Sequence, residues 1–339
     1  MNTAISENDN TEFLKDSRIM ITGMTGLIGK TLARRLLAVS REKKLSLRLI
    51  APVRNMTAAQ ELFRDDAERI RFIQGDITTV DLSGSTPDYI IHCASQTSSQ
   101  AFLNEPVETI RVTTEGTRHM LEYARGIKNL KRFIYLSTME VYGTPQTDDP
   151  IMETSPMYMD TMNARASYPV SKRLTETLCV AYMKEYGVPV NVLRLTQTFG
   201  PGVKYDDGRV FAEFARCAIE KRDIILKTKG ETKRSYLYTE DAADAILTIL
   251  RNGIPGEAYN VANPDTYCSI YEMANLIADR ICGKQIKVQI LEQDLSTTGY
   301  APVLHMNLDT KKLEALGWKA KTGLEEMYRS MIDNMDTKG

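Results

Sequence analysis

Near its amino terminus the chain reads Ile19-Met20-Ile21-Thr22-Gly23-Met24-Thr25-Gly26-Leu27-Ile28-Gly29. A short β-rich run leads into the pattern G-x-x-G-x-x-G, and a helical pattern follows over residues 30–40. In such a unit the first glycine permits a tight turn, the second lets backbone approach a pyrophosphate, and the third lets helix pack on strand. The amino end of the helix adds N–H groups that attract phosphate. The segment predicts a dinucleotide-binding site formed by Gly23, Thr25, Gly26, Leu27, Ile28 and Gly29.

The rest of the chain continues the alternation of strands and helices. Helical patterns separate further β-rich runs at residues 46–53, 71–73, 88–93, 132–136 and 188–195. This alternation is typical of an α/β protein, here a Rossmann-type doubly wound parallel sheet with a smaller C-terminal α/β substrate lobe. We predict a flexible N-terminal arm over 1–17 and a dinucleotide-binding Rossmann domain over 18–198, to which 236–262 return. The substrate lobe is then built from 199–235 and 263–339.

Composition excludes several classes of function. Lys and Arg number 43 against 44 Asp and Glu, and the net charge of −1 gives no basic footprint for nucleic acid or an anionic membrane. Five cysteines and three histidines lack the spacing of a metal site, so we expect no metal and reduced thiols. The acidic start has no apolar signal segment, and no apolar run is long enough to span a bilayer. We expect a cytoplasmic protein.

The identity of the dinucleotide depends on the ends of the second and third strands. An acid about 20 residues beyond the glycines would hold the ribose 2′-hydroxyl of NAD, whereas an arginine accommodates a 2′-phosphate. The second strand ends in Arg54 with no acid before Glu61, so the cofactor is NAD or NADP, with NADP favoured. A solvated arginine is the alternative for Arg54. Asp76 either accepts from the adenine amino group or caps the next turn.

A tyrosine and a lysine occur one helical turn apart at Tyr168 and Lys172. A nearby cation stabilises a phenolate and makes tyrosine a usable base. Such a pair suits removal of a proton from a secondary alcohol while hydride leaves for a nicotinamide. About 30 residues earlier, Ser137-Thr138-Met139-Glu140 closes the fifth strand, at the edge where doubly wound sheets bind ligands.

Together these motifs resemble the extended short-chain dehydrogenase/reductases, the family of NAD-dependent nucleotide-sugar epimerases, dehydratases and decarboxylases. The resemblance runs from residue 18 to the C-terminus, and the segments Arg165-Ala166-Ser167-Tyr168 and Asp207-Gly208-Arg209-Val210 look most like UDP-glucuronate decarboxylases. It implies that Thr138 polarises the sugar hydroxyl, Tyr168 acts as base and Glu140 as acid/base. Lys172 would hold the nicotinamide ribose and lower the pKa of Tyr168.

The same resemblance implies further contacts. The cofactor would also be held by Asp76, Ile77, Ala94 and Ser95. The nucleotide-diphosphate sugar would be held by Gln197, Arg209, Val210 and Arg234. Helices near 106–125 and 168–186 are similar to a pair that forms a dimer interface in relatives, so we expect a homodimer.

Several positions depart from the family pattern. Met139 stands where thymidine-diphosphate sugar dehydratases carry an Asp, which argues against their route of dehydration. Pro169-Val170-Ser171 replaces the acidic stretch of decarboxylases, and Gln197 replaces an Asn. Glu240 stands where one decarboxylase branch has an arginine for the substrate carboxylate, and it would repel a uronic acid if it lined the pocket.

Three functions remain open from the sequence. The leading hypothesis is a redox-neutral nucleotide-sugar enzyme that transiently oxidises C4 of the sugar, as epimerases, decarboxylases and dehydratases do. The alternative is an NADPH-dependent reductase of an activated keto sugar or polyol, which Arg54 and Met139 favour. A non-catalytic dinucleotide-sensing scaffold is the remote third, against which Thr138, Tyr168 and Lys172 argue.

Overall fold

A computed structural model describes residues 11–97, 99–145, 147–156, 158–292 and 303–335. Its central feature is a seven-stranded sheet in the order β10-β6-β5-β4-β1-β2-β3, parallel throughout. The strands are β1 Arg18–Thr22, β2 Arg48–Val53, β3 Ile70–Gln74, β4 Tyr89–His92, β5 Arg132–Thr138, β6 Val190–Leu195 and β10 Ala258–Val261. The predicted α/β class with a doubly wound parallel sheet is confirmed.

Helices cover both faces of this sheet, which is why its strands are continuous apolar runs rather than alternating ones. Ile19, Met20 and Ile21 of β1 are all fully buried. The flanking helices are α1 Leu27–Glu42, α2 Met56–Leu62, α3 Ser99–Asn104, α4 Pro106–Arg125, α5 Ser167–Tyr186 and α7 Thr239–Asn252. Helices α1 and α7 pack on one face, and α4 and α5 on the other.

A second group of elements builds its own core around Phe199, Phe211 and Tyr328. One small sheet is centred on β9, which pairs antiparallel with β11 and parallel with β13 and β7. A second, two-stranded sheet pairs β12 with β8 in parallel. The elements are β7 Gln197–Phe199, α6 Val210–Glu220, β8 Ile224–Leu226, β9 Lys233–Tyr238, β11 Asn263–Ser269, α8 Ile270–Leu276, β12 Val288–Ile290, β13 His305–Met306 and α10 Leu324–Asp333. Helix α9, Lys311–Glu314, instead packs beside β10, with Leu313 in the core of the central sheet.

The residues just before β1 differ from the predicted flexible arm over 1–17. Residues 1–10 lie outside the described part of the chain. Glu12–Leu14 form a 3₁₀ turn, and the Leu14 side chain is fully buried against the sheet. Two adjacent apolar residues, Phe13 and Leu14, in a polar stretch were too weak a pattern to predict this contact.

Among the described residues, no helix combines the length and the apolar character needed to cross a membrane.

Candidate active site

The glycine turn between β1 and α1 leaves no room for side chains. Gly23 has a φ of +65°, and a Cβ there would lie 2.9 Å from the backbone nitrogen of Ala94. A Cβ on Gly29 would lie 2.3 Å from the carbonyl oxygen of Gly23. Gly26 precedes α1, whose first N–H groups have no partner within the helix. This bare backbone cradle fits the diphosphate of a dinucleotide, which an added Cβ would displace.

The neighbouring edge is fixed by a buried histidine that the sequence did not single out. The Oγ1 of Thr22 lies 2.8 Å from Nδ1 of His92, and the N–H of Ala94 donates to the same hydroxyl at 3.1 Å. Thr117 contacts the other ring nitrogen at 3.2 Å. Burial lowers the pKa of His92 to about 3, with the Lys172 charge adding, so the ring is neutral. His92 therefore joins the ends of β1 and β4, and Ala94 and Ser95 follow at the carboxyl edge.

The candidate adenosine-side residues follow β2 and β3. Arg54 is exposed directly after β2. Oδ1 of Asp76 accepts from the hydroxyl of Thr78 at 2.5 Å and from its N–H at 2.9 Å. These bonds, and then the charges of Arg111 and Arg54, lower the pKa of Asp76. Asp76 thus caps the next turn through one oxygen. The Cγ2 of Ile77 lies 3.0 Å from a Cβ built on Gly116 of α4.

The predicted catalytic residues meet at the carboxyl end of β5. Thr138 ends this strand, and its Oγ1 accepts from the N–H of Glu140 at 3.2 Å. Thr138 and Tyr168 come from different elements, and the Thr138 hydroxyl acts on the Tyr168 phenol in the direction that lowers its pKa. Lys172 donates to the carbonyl of Leu136 at 2.8 Å, and its Nζ lies 5.8 Å from the centre of the Tyr168 ring.

Burial sets the acidity of this group. It raises the pKa of Tyr168, and the negative charge of Glu140 raises it further. The Thr138 hydroxyl and the charges of Arg165 and Arg209 act in the opposite direction and lower the pKa of Tyr168. Burial also lowers the pKa of Lys172 to about 8, although the carboxylate of Glu176 opposes that shift. The cations that lower the pKa of Tyr168 therefore include Arg165, three residues before it, and Arg209, which is distant in the sequence.

Two further contacts complete the catalytic group and were not predicted. The Arg165 Nη2 donates to Oε2 of Glu140 at 3.0 Å. Phe102 stacks on Tyr168 with ring centres 4.2 Å apart and planes inclined by 11°. The partners are separated by 25 residues in one pair and lie on different elements in both, so only the tertiary structure reveals them.

The predicted substrate residues fall into two groups. Val210 begins α6, and Arg209 before it binds both carboxylate oxygens of Asp207, with Nη2 at 2.6 Å from Oδ2. Gln197 lies opposite Tyr236 in the pairing of β7 with β9, two residues from Arg234. The buried Nε of Arg234 has no hydrogen-bond partner within the described ranges. Arg209 acts electrostatically on Tyr168, whereas no described contact joins Arg234 to the catalytic group.

Two of the departures from the family pattern are resolved by their contacts. The Met139 side chain is buried, and its Sδ accepts from the hydroxyl of Thr196 at 3.2 Å. Glu240 pairs with Arg35 of α1 at 3.6 Å, between α1 and α7. The carboxylate of Glu240 thus lies at a helix–helix contact beside a cation. The repulsion of an acidic sugar, expected if Glu240 lined the pocket, does not apply to this position.

Comparison with known proteins agrees with this geometry. The model of the NAD dependent epimerase/dehydratase family matches residues 19–262. UDP-glucuronic acid decarboxylase 1 of Xenopus tropicalis is 29% identical over 93% of this chain and 71% of its own length. UDP-glucuronic acid decarboxylase 5 of Arabidopsis thaliana is 28% identical, over 94% and 89%. A solved UDP-glucose 4-epimerase of Thermotoga maritima has the same fold, with a TM-score of 0.79 at 23% identity, covering 94% and 98% of the two chains.

Proposed function

Since this chain belongs to the NAD dependent epimerase/dehydratase family, we propose that it converts a nucleotide-diphosphate sugar by oxidising C4 of the sugar transiently in each turnover. The observation that carries the proposal is the proximity of the Tyr168 phenol to Thr138, with Glu140 and Lys172 beside them, at the sheet edge next to the glycine cradle. The relatives named as UDP-glucuronic acid decarboxylases support a UDP-sugar as substrate.

The residues divide the proton chemistry between them. When bound, the nicotinamide supplies an acceptor that takes hydride from C4 and gives it back. Thr138 donates a hydrogen bond to the C4 oxygen, and Tyr168 takes the hydroxyl proton as that carbon becomes a carbonyl. Lys172 holds positive charge below the phenol. Reversal of the proton transfer at Tyr168 completes the cycle.

Glu140 serves the step between oxidation and reduction. A C4 carbonyl acidifies the neighbouring C–H bond, and Glu140 removes that proton or delivers one from its side of the ring. For a uronic acid, the bond from C5 to the carboxylate breaks instead, carbon dioxide leaves, and the carbon receives a proton. The engagement of Glu240 with Arg35 supports decarboxylation as one outcome.

The choice of cofactor is part of the proposal. The exposed Arg54 at the end of β2 and the lack of an acid there favour NADP. The family description and a Bacillus cereus UDP-glucuronic acid 4-epimerase solved with NAD, 22% identical with a TM-score of 0.76, favour NAD. Mass analysis of the nucleotide released on denaturation decides between them.

That same measurement tests the function. Retention of one oxidised dinucleotide per chain, followed by conversion of UDP-glucuronic acid without net change of the cofactor, supports the proposal. A protein that releases no dinucleotide but consumes added NADPH stoichiometrically is instead a reductase, which Arg54 and the buried Met139 favour. A protein that binds neither dinucleotide would favour the remaining hypothesis, a non-catalytic scaffold.

We also propose a homodimer formed through α4 and α5. Their surface carries exposed apolar side chains, with Val107 78% exposed and Leu174 51% exposed. Ile110 on α4 and Val180 on α5 are also exposed apolar side chains. Light scattering on the purified protein measures the mass directly, and Val107→Asp together with Leu174→Asp is expected to give a monomer.

The state of the cysteines supports a proposed compartment. The cysteines at 93, 179, 217, 268 and 282 are all free thiols. Reduced thiols are the normal state in the cytoplasm, where we propose that the protein acts. Fractionation of cells that express the full chain tests this.

A further inference from the structure

Arg165 occupies a position between two groups of the catalytic cluster. It lies in the 3₁₀ turn Ala164–Ala166, three residues before Tyr168. Its Nη2 donates to Glu140 at 3.0 Å, while its guanidinium centre lies 5.0 Å from the centre of the Phe102 ring. Phe102, only 3% exposed, is the ring that stacks on Tyr168. One side chain therefore touches both the candidate acid/base and the wall behind the candidate base.

Arg165 is one of several charged side chains that act on the phenol of Tyr168. Glu140 raises the pKa of Tyr168, whereas Arg165 and Arg209 lower it, and the ammonium of Lys172 lies under the ring. The Arg209 guanidinium donates hydrogen bonds to both carboxylate oxygens of Asp207. Arg165 is the cation that directly contacts Glu140, so its removal leaves the carboxylate without its paired charge beside the phenol.

We propose that Arg165 is a positioning residue, which holds the Glu140 carboxylate at the site and balances its charge next to Tyr168. The inference rests on the proposed function, because it assigns Arg165 to the same proton transfers. Arg165 touches no reacting atom; it acts through Glu140 and through Phe102.

An arginine suits this position better than a lysine does. Its planar guanidinium stacks on an aromatic ring while its edge donates to a carboxylate. A lysine keeps the charge but cannot make both contacts with one rigid plane. Arg165→Lys is therefore expected to restore the charge balance and only part of the carboxylate positioning.

The test compares Arg165→Gln, Arg165→Lys and a control, Arg329→Gln. Arg329 forms a more exposed ion pair with Glu325 on α10, at 2.8 Å, outside the candidate site. With UDP-glucuronic acid as probe, we measure kcat, KM and the pH profile of the first hydride transfer, followed by the absorbance of the reduced cofactor. Arg165→Gln should lower kcat about tenfold or more with little change in KM. It should also move the half-maximal pH of the first step upward by roughly half a unit, and Arg165→Lys should largely reverse that shift.

Crystal structures of the wild-type protein and Arg165→Gln give a readout that needs no turnover. The proposal expects the Glu140 carboxylate to leave its position beside Tyr168 in the variant. An unmoved Glu140, or a kcat and pH profile equal to those of Arg329→Gln, overturns it. If the wild-type protein oxidises no nucleotide sugar, the proposed function fails, and the position of Glu140 in the two structures still decides whether Arg165 holds it.

Discussion

Two arginine–carboxylate pairs lie close to the proposed catalytic residues, and they are built in opposite ways. Arg194 of β6 and Glu176 of α5 are buried, with side chains 8% and 11% exposed. Arg165 and Glu140 are about 30% exposed and share one hydrogen bond. The first pair joins α5 to β6, and the second joins the turn that precedes α5 to the turn that follows β5.

The buried pair has nearly all of its hydrogen-bonding capacity used. Arg194 donates to both oxygens of Glu176, at 3.1 Å and 2.7 Å, and to the hydroxyl of Tyr142 and the carbonyl of Glu153. Glu176 also accepts from Ser137 at 2.5 Å, one residue before Thr138. A charge pair so completely bonded cannot exchange a proton without breaking the frame. The half-exposed pair has the spare capacity that proton transfer requires.

The largest difference between the pairs should be in stability. Glu176→Gln leaves the Arg194 guanidinium buried without its counter-charge, which is expected to cost about 3–5 kcal/mol of unfolding free energy. Glu140→Gln, at the half-exposed pair, should cost less than about 1 kcal/mol. Urea unfolding followed by circular dichroism measures both.

A double variant separates charge from packing at the buried pair. Glu176→Gln with Arg194→Met removes both charges and should be more stable than Glu176→Gln alone. Equal losses for Glu176→Gln and Glu140→Gln would show that burial does not distinguish the pairs.

For catalysis, we expect the larger effect at the Arg165–Glu140 pair. Glu140→Gln should lower turnover of UDP-glucuronic acid at least about 100-fold, because the amide cannot move the proton of the middle step. The first hydride transfer should be nearly normal, since Thr138 and Tyr168 are intact. Stopped-flow absorbance of the cofactor measures the first step and chromatography of the sugar nucleotides the second. Equal loss of both steps contradicts the assigned role.

Local sequence patterns predicted most of the frame of this site. The apolar run of β1, the spaced glycines and the i, i+4 spacing of Tyr168 and Lys172 are all short-range features, and the structure places them as one strand–turn–helix unit and one helix face. Short-range periodicity carries the information for each of these elements.

The partners of these residues were not predictable in the same way. Arg165 and Glu140 meet only because α5 packs beside β5, and Phe102 reaches Tyr168 from α3. The effect of Glu240 depended on whether it faced the pocket or Arg35, which no local pattern distinguishes. Burial also outweighs the cations acting on Tyr168, so its pKa is raised, whereas its spacing to Lys172 predicted a lowering.

A third, smaller effect concerns Lys172, which lies one turn before Glu176 on α5. Its pKa falls from 10.5 to about 8 on burial, with Glu176 opposing the shift. Between these pH values the folded protein binds fewer protons than the unfolded chain, so this group makes unfolding free energy rise with pH. Relative to Lys172→Met, the wild-type protein should gain about 1 to 2 kcal/mol from pH 8 to pH 9.5. Parallel pH dependence of the two proteins would contradict a depressed pKa at Lys172.

The smallest expected effect tests how the turn before α5 positions Arg165 in its pair with Glu140. The Oδ1 of Asn163 accepts from the N–H of Arg165 at 2.9 Å and so caps the turn that carries the guanidinium. Asn163→Ala removes this cap and should cost about 0.5–1 kcal/mol of unfolding free energy. Because charge and reach of Arg165 are retained, turnover should fall less than in Arg165→Gln, and Asn163→Asp should recover it. A loss of turnover in Asn163→Ala as large as in Arg165→Gln would mean that the backbone of this turn, rather than the guanidinium charge, controls Glu140.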